Sequence, residues 1–190
     1  MRFLTIALAL SAASLAAQPQ AGSWLDRPLS NWNTAWAPLP SAPKPDEPKA
    51  TVIARCKSTP PLSTAAEKAI DAAGWIPFHN FDQPLVREDV EIVGGMTGSD
   101  GMCRPTGYNL FVFVGGRFAG TLSPVLMTSR LDASSGAVRL PLPQITAEFA
   151  RYKPTDPLCC PSSRVTVRYR IDRTPTGAVV VPVEVRTTRG

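Results

Sequence analysis

Proline sets the first limit on what this chain can fold into. There are twenty prolines, and each removes a backbone donor and clashes with the preceding helical turn. Long helices are therefore disfavoured, and strands, turns and extended connections are favoured. The density peaks between residues 18 and 50, where Pro19, Pro28, Pro38, Pro40, Pro43, Pro45 and Pro48 fall. Such a segment tends toward extended polyproline II. It also holds Trp24, Trp32 and Trp36, three of the four tryptophans. Large amphipathic rings are costly to leave in water. The stretches Trp24–Leu29 and Asn31–Asn33 are therefore expected to dock, either on the protein's own domain or on a partner or glycan. Residues 37–50 read as the linker.

The first seventeen residues read as a signal peptide. Arg2 gives a positive start, Phe3 to Leu15 is apolar or small, and Ala16 or Ala17 offers a cleavage position. The run is short of the roughly 20 residues that a membrane-spanning helix needs. Export to the periplasm or beyond is expected, with cleavage near Ala16/Ala17. In that oxidising compartment the four cysteines, Cys56, Cys103, Cys159 and Cys160, read as two disulfides. A ring closed by Cys159 and Cys160 would be strained, so each is expected to pair with Cys56 or Cys103. Adjacent cysteines with no nearby histidine do not match the ligand spacing of a structural metal site, and no metal or cofactor is expected.

The remainder, residues 51–190, is read as one α+β domain. Thr64-Ala65-Ala66-Glu67 has the spacing of a capping box, Ala65 to Ala73 is alanine-rich, and Gly74 suits the left-handed position after a helix. A helix this short must pack on a sheet to persist. The continuous apolar run Leu110–Val114 suits a strand buried on both faces. Gly115-Gly116 predicts a hairpin that sets Phe113 opposite Phe118 and Val112 opposite Ala119. Gly94 to Gly101 reads as a glycine-rich loop, and residues 145–152 as a strand. Val165–Ile171 alternates apolar with polar, and Pro182 marks the strand after it as an edge. The expected architecture is one short N-terminal helix on a mainly antiparallel sheet of about five to six strands.

Catalysis is poorly served. The one histidine, His79, lies among aromatic residues, and the chain has no nucleophile elbow, phosphate loop or dinucleotide fingerprint. Paired carboxylates for glycoside hydrolysis would have to come from Asp82, Glu88, Asp89, Glu91 and Asp100, which stand in ordinary polar stretches. No catalytic residue is assigned. The net charge of +5 is concentrated toward the C-terminus. There Arg164, Arg168 and Arg170 share one face of a strand beside the rigid segment Arg151–Pro161. These arginines are the candidate anionic-ligand residues. The plain alternative is a solvated face with cross-strand pairing to Glu184. Nothing suggests nucleic acid.

Three segments carry a resemblance. Asp100-Gly101-Met102-Cys103-Arg104-Pro105, Phe111 through Pro124, and Phe149-Ala150-Arg151-Tyr152 with Asp156-Pro157-Leu158-Cys159-Cys160-Pro161 resemble the LppP/LprE lipoprotein family over roughly Trp75 to Val185. The lead from Trp24 to Asn33 is similar to that of non-lipidated envelope members. The resemblance implies an envelope location and a small cysteine-linked domain, and it brings no established activity. The chain departs from the family name in lacking a lipobox cysteine. The expectation is an exported envelope protein that binds or scaffolds without catalysis, its partner being anionic envelope lipid or polymer, or an envelope protein. The alternatives are a weak hydrolase of envelope polymer, or an inhibitor or partner of a periplasmic enzyme.

Overall fold

The computed structural model describes residues 22–57, 62–79 and 85–189. The expected signal peptide lies outside them. Two helices, α1 (Lys49–Cys56) and α2 (Ala65–Ala72), precede the strands β1 (Ile76–Phe78), β2 (Leu85–Arg87), β3 (Val90–Met96), β4 (Gly98–Ser99), β5 (Pro105–Thr106) and β6 (Asn109–Val114). The chain continues through β7 (Arg117–Thr121), β8 (Ser135–Arg139), β9 (Gln144–Arg151), β10 (Ser163–Thr174) and β11 (Gly177–Arg189). All strand pairs are antiparallel.

The expected capping box is present. The Thr64 hydroxyl accepts from the Glu67 N–H, and the Glu67 carboxylate reaches back to the Thr64 N–H. At the other end Gly74 takes a positive φ of 92°. The Gly74 N–H bonds the Asp71 carbonyl and the Trp75 N–H bonds the Ile70 carbonyl. This is the paired closure that satisfies the last carbonyls of a helix.

The strands do not form one sheet of five or six. They form a five-stranded sheet, β1-β3-β6-β7 with β2 also on β3, a four-stranded sheet, β11-β10-β9-β8, and the small pair β4-β5. The reason lies in β6, which is buried along its whole length. Leu110, Val112 and Val114 join Ile145, Ala147, Phe149, Val165, Val167 and Tyr169 in the core between the sheets. Phe111 and Phe113 join Ala66 and Ile70 of α2, with Val93 and Trp75, in a second cluster on the opposite face. A strand apolar on both faces needs a layer on each side. Helix α2 supplies one layer and the second sheet supplies the other.

Three local expectations are corrected. Gly94 and Gly95 belong to β3 rather than to a loop. They are glycines because a Cβ at Gly94 would come within 2.6 Å of the Phe78 ring, and one at Gly95 within 2.9 Å of Phe111. In the β6–β7 hairpin Phe113 faces Phe118 as expected, but a bulge sets Val112 opposite Gly120 instead of Ala119. The cysteines pair as Cys56 with Cys103 and Cys159 with Cys160. Asp100 explains the first pair: its carboxylate accepts from the Met102 and Arg104 N–H groups, and its carbonyl from the Cys103 N–H. That turn brings Cys103 to the end of α1, 5.4 Å from Cys56 between Cα atoms. The two remaining cysteines sit in an exposed loop.

The tryptophan-bearing lead docks on its own domain. Trp24 stands edge-on to Phe149 and to Trp32, and Trp32 stands edge-on to Tyr169. The Trp32 indole N–H donates to the Thr121 carbonyl and hydroxyl, both at 3.2 Å. Asn33 then ties the two sheets together. Its side-chain N–H₂ donates to the carbonyls of Thr121 in β7 and Val180 in β11, both at 3.0 Å. Its side-chain oxygen accepts the Thr121 N–H at 2.9 Å. Gly120 is required there, because a Cβ would meet the Asn33 amide at 2.4 Å. Farther on, Leu39 and Ala42 pack against the α2 cluster, and the Trp75 indole N–H donates to the Pro40 carbonyl at 2.8 Å.

Candidate ligand-binding cleft

A cleft of about 910 Å³ opens where the lead, the loop after β7 and the loop after β9 meet. Each wall is fixed by polar contacts within the chain. In the loop after β7, the Asn109 amide donates to the carbonyls of Ser123 and Val125, and the Met127 and Tyr108 backbones exchange two hydrogen bonds. In the loop after β9, Asp156 accepts the N–H groups of Lys153 and Ser162, both at 2.8 Å, and the Ser162 hydroxyl at 2.5 Å. These bonds, the Ser162 hydroxyl foremost, hold the Asp156 carboxyl below the usual range. The Tyr152 hydroxyl donates to the Leu158 carbonyl at 3.0 Å, and the Cys160 N–H to the Pro157 carbonyl.

Arg151 clamps the walls together. Its Nε donates to Asp132 at 2.9 Å, and one Nη contacts both carboxylate oxygens of Asp26 at 2.9 Å. Partial burial opposes the charge, but the two carboxylates outweigh it and hold the guanidinium firmly protonated. The supported loops present aliphatic side chains to solvent. Val125 is 51% exposed, Leu131 53% and Leu158 61%, and all three line the cleft. Ser23 and Trp24 line it too, and their Oγ and Nε1 atoms are buried without a hydrogen-bond partner.

The arginines singled out in the sequence lie elsewhere, on β10. Val165, Val167, Tyr169 and Ile171 face the core as the alternation requires, while Arg164 and Arg170 are exposed and Arg168 is half-buried. Arg168 pairs with Glu184 at 2.8 Å, the partner anticipated for this face, and lies opposite it in register. Arg170 pairs with Asp172. Arg164 reaches over Gly136 of β8. Of the cysteines, Cys159 and Cys160 belong to the loop that walls the cleft, whereas Cys56 and Cys103 staple α1 to the turn before β5.

His79 does not reach the cleft lining. Its Nε2 lies 2.6 Å from Glu67 Oε1, inside the capping box of α2. Burial pushes the Glu67 carboxyl up, but the N–H groups of Thr64 and Ser63, the Ser63 hydroxyl and His79 outweigh it and leave the carboxyl below the usual glutamate range. A depressed carboxyl contributes stability that is complete above its unfolded value, about pH 4.3, and is lost as pH falls through the folded value. Glu67→Gln should therefore lower the melting temperature at neutral pH and flatten its decline below about pH 4.3. Melting curves of both proteins from pH 3 to 7 check this, and parallel declines would contradict it. Asp82 lies outside the described residues, and among the described residues no group of three or more His, Cys, Asp or Glu side chains is placed to hold a metal ion.

Together these features define a disulfide-stapled module of two packed antiparallel sheets, with a helix on one face and a strapped cleft at one end. Residues 88–174 match the model of the LppP/LprE lipoprotein family. The match points to an association with the cell envelope. No curated protein and no solved structure matches it.

Proposed function

We propose that this is an exported envelope protein, freed of its signal peptide near Ala16/Ala17, that works by non-catalytic binding through the cleft. The observation that carries this reading is the exposure of Val125, Leu131 and Leu158 on walls that are themselves rigidly bonded. Aliphatic side chains gathered around a concave site, with a few polar groups between them, characterise ligand pockets. The lining carboxylates argue in the same direction. Asp26 and Asp132 are tied to Arg151, and Asp156 is tied to its own loop. A hydrolase would need one of them as a free acid or base.

The test incubates the mature protein with an isolated envelope fraction and follows both retention and release of soluble products. Saturable retention that Leu131→Glu and Leu158→Glu each weaken at least about tenfold, without product release, is expected. Protein-dependent release of products would overturn the non-catalytic reading. Retention unchanged in both variants would remove the cleft from it.

A further inference from the structure

We infer that the cleft takes an anionic amphiphile, an alkyl chain ending in a phosphate or carboxylate group. This rests on the binding reading and names the ligand class. The apolar part of the argument is the ring of Val125, Leu131 and Leu158, backed by Pro154 and the buried Ala133. The volume of about 910 Å³ falls within the roughly 300–1,000 Å³ typical of small-molecule sites.

The sign of the head group follows from which charges are already used. Arg151 is neutralised by Asp26 and Asp132, and Asp156 is held by its own loop. Arg27, Arg130 and Lys153 also line the cleft, and none of the three makes an ion pair among the described residues. Arg130 spends one N–H on the Leu158 carbonyl at 3.4 Å and keeps its other donors. With two carboxylates on Arg151 and Asp156 near Lys153, the four cations of the lining exceed its three carboxylates by one, a net positive charge beside exposed aliphatic surface. An anionic head supplies countercharge and acceptors for the Arg130 and Lys153 donors, and its chain covers the aliphatic ring. A neutral amphiphile would leave the cations unmatched, and a free anion would leave the aliphatic ring in water.

The experiment titrates the mature protein with dodecyl phosphate, laurate, dodecyl maltoside and inorganic phosphate, each below its micelle threshold, and follows backbone amide signals. Dodecyl phosphate and laurate are expected to move signals from residues 125–133 and 152–160 saturably. Dodecyl maltoside and inorganic phosphate should each bind at least about tenfold more weakly. Raising salt from 50 to 500 mM should weaken the two anionic amphiphiles and leave the maltoside unchanged. Lys153→Gln and Arg130→Gln should each weaken dodecyl phosphate several-fold without moving the maltoside. Lys153, which donates no side-chain hydrogen bond, keeps the test valid if the Arg130 variant disturbs its loop. Equal binding of maltoside and dodecyl phosphate overturns the charge assignment, and equal binding of inorganic phosphate overturns the apolar one. If no amphiphile binds while the envelope fraction is still retained through the cleft, the ligand class falls and the binding reading stands. If neither binds, both fall.

Discussion

Replacing Trp24 and Trp32 together by alanine should destabilise the protein by about 3–5 kcal/mol, a large share of the roughly 5–15 kcal/mol that a domain has in total. Both rings pack against the main core, on Phe149 and Tyr169. Both keep some exposure, so about 2–3 kcal/mol each is expected rather than the full 3–5 of a buried aromatic. Because the two rings also touch each other, the double variant should lose less than the sum of the singles. Asn33→Ala should cost about 1–3 kcal/mol by leaving the Thr121 N–H without its acceptor. Urea denaturation of the two single variants, the double variant and Asn33→Ala measures these losses. A double variant within about 1 kcal/mol of the wild type would mean the lead is a passenger on the fold.

Val167→Asp should abolish the folded state. Val167 is fully buried between Ala147 of β9 and Val185 of β11. A carboxylate there has no partner, and burying it unpaired costs several kcal/mol. One residue along, the side chain turns to the other face. Arg168→Gln removes a half-exposed pair with Glu184 and should change stability by no more than about 1 kcal/mol. Glu184 also keeps Arg186 beside it. Thermal melts compare the two variants directly. A cooperative Val167→Asp melt near that of the wild type would refute the inward register of β10.

That register was legible because it is written locally, in a period of two. The same holds for the capping box at Thr64–Glu67, the Gly115-Gly116 hairpin and the edge strand marked by Pro182. What could not be read depends on residues far apart in the chain. Gly94 resembles a loop residue until the Phe78 ring is seen lying on it. Strand β6 shows two apolar faces, but not that a second sheet covers one of them. The cysteine pairing turned on the carboxylate of Asp100, which shapes the turn that carries Cys103. The cleft was half visible. The proline- and cysteine-bearing segment from Arg151 to Pro161 stood out as rigid, but Asp26 and Asp132 join it only through Arg151. No periodicity links positions separated by 125 residues.

The span matched by the family ends at Thr174, the last residue of β10. The hairpin is cut there at its turn, and β11 lies beyond it. The match also begins after β1, β2, both helices and the whole lead. A fragment cut to those bounds would leave one side of β10 bare, an open row of backbone donors and acceptors that invites pairing between molecules. It would also lack Asn33, the amide that joins β7 to β11. The matched span and the mechanical unit therefore have different borders. The matched span is a torso, and the clasp that shuts it is threaded in from residues ahead of the match.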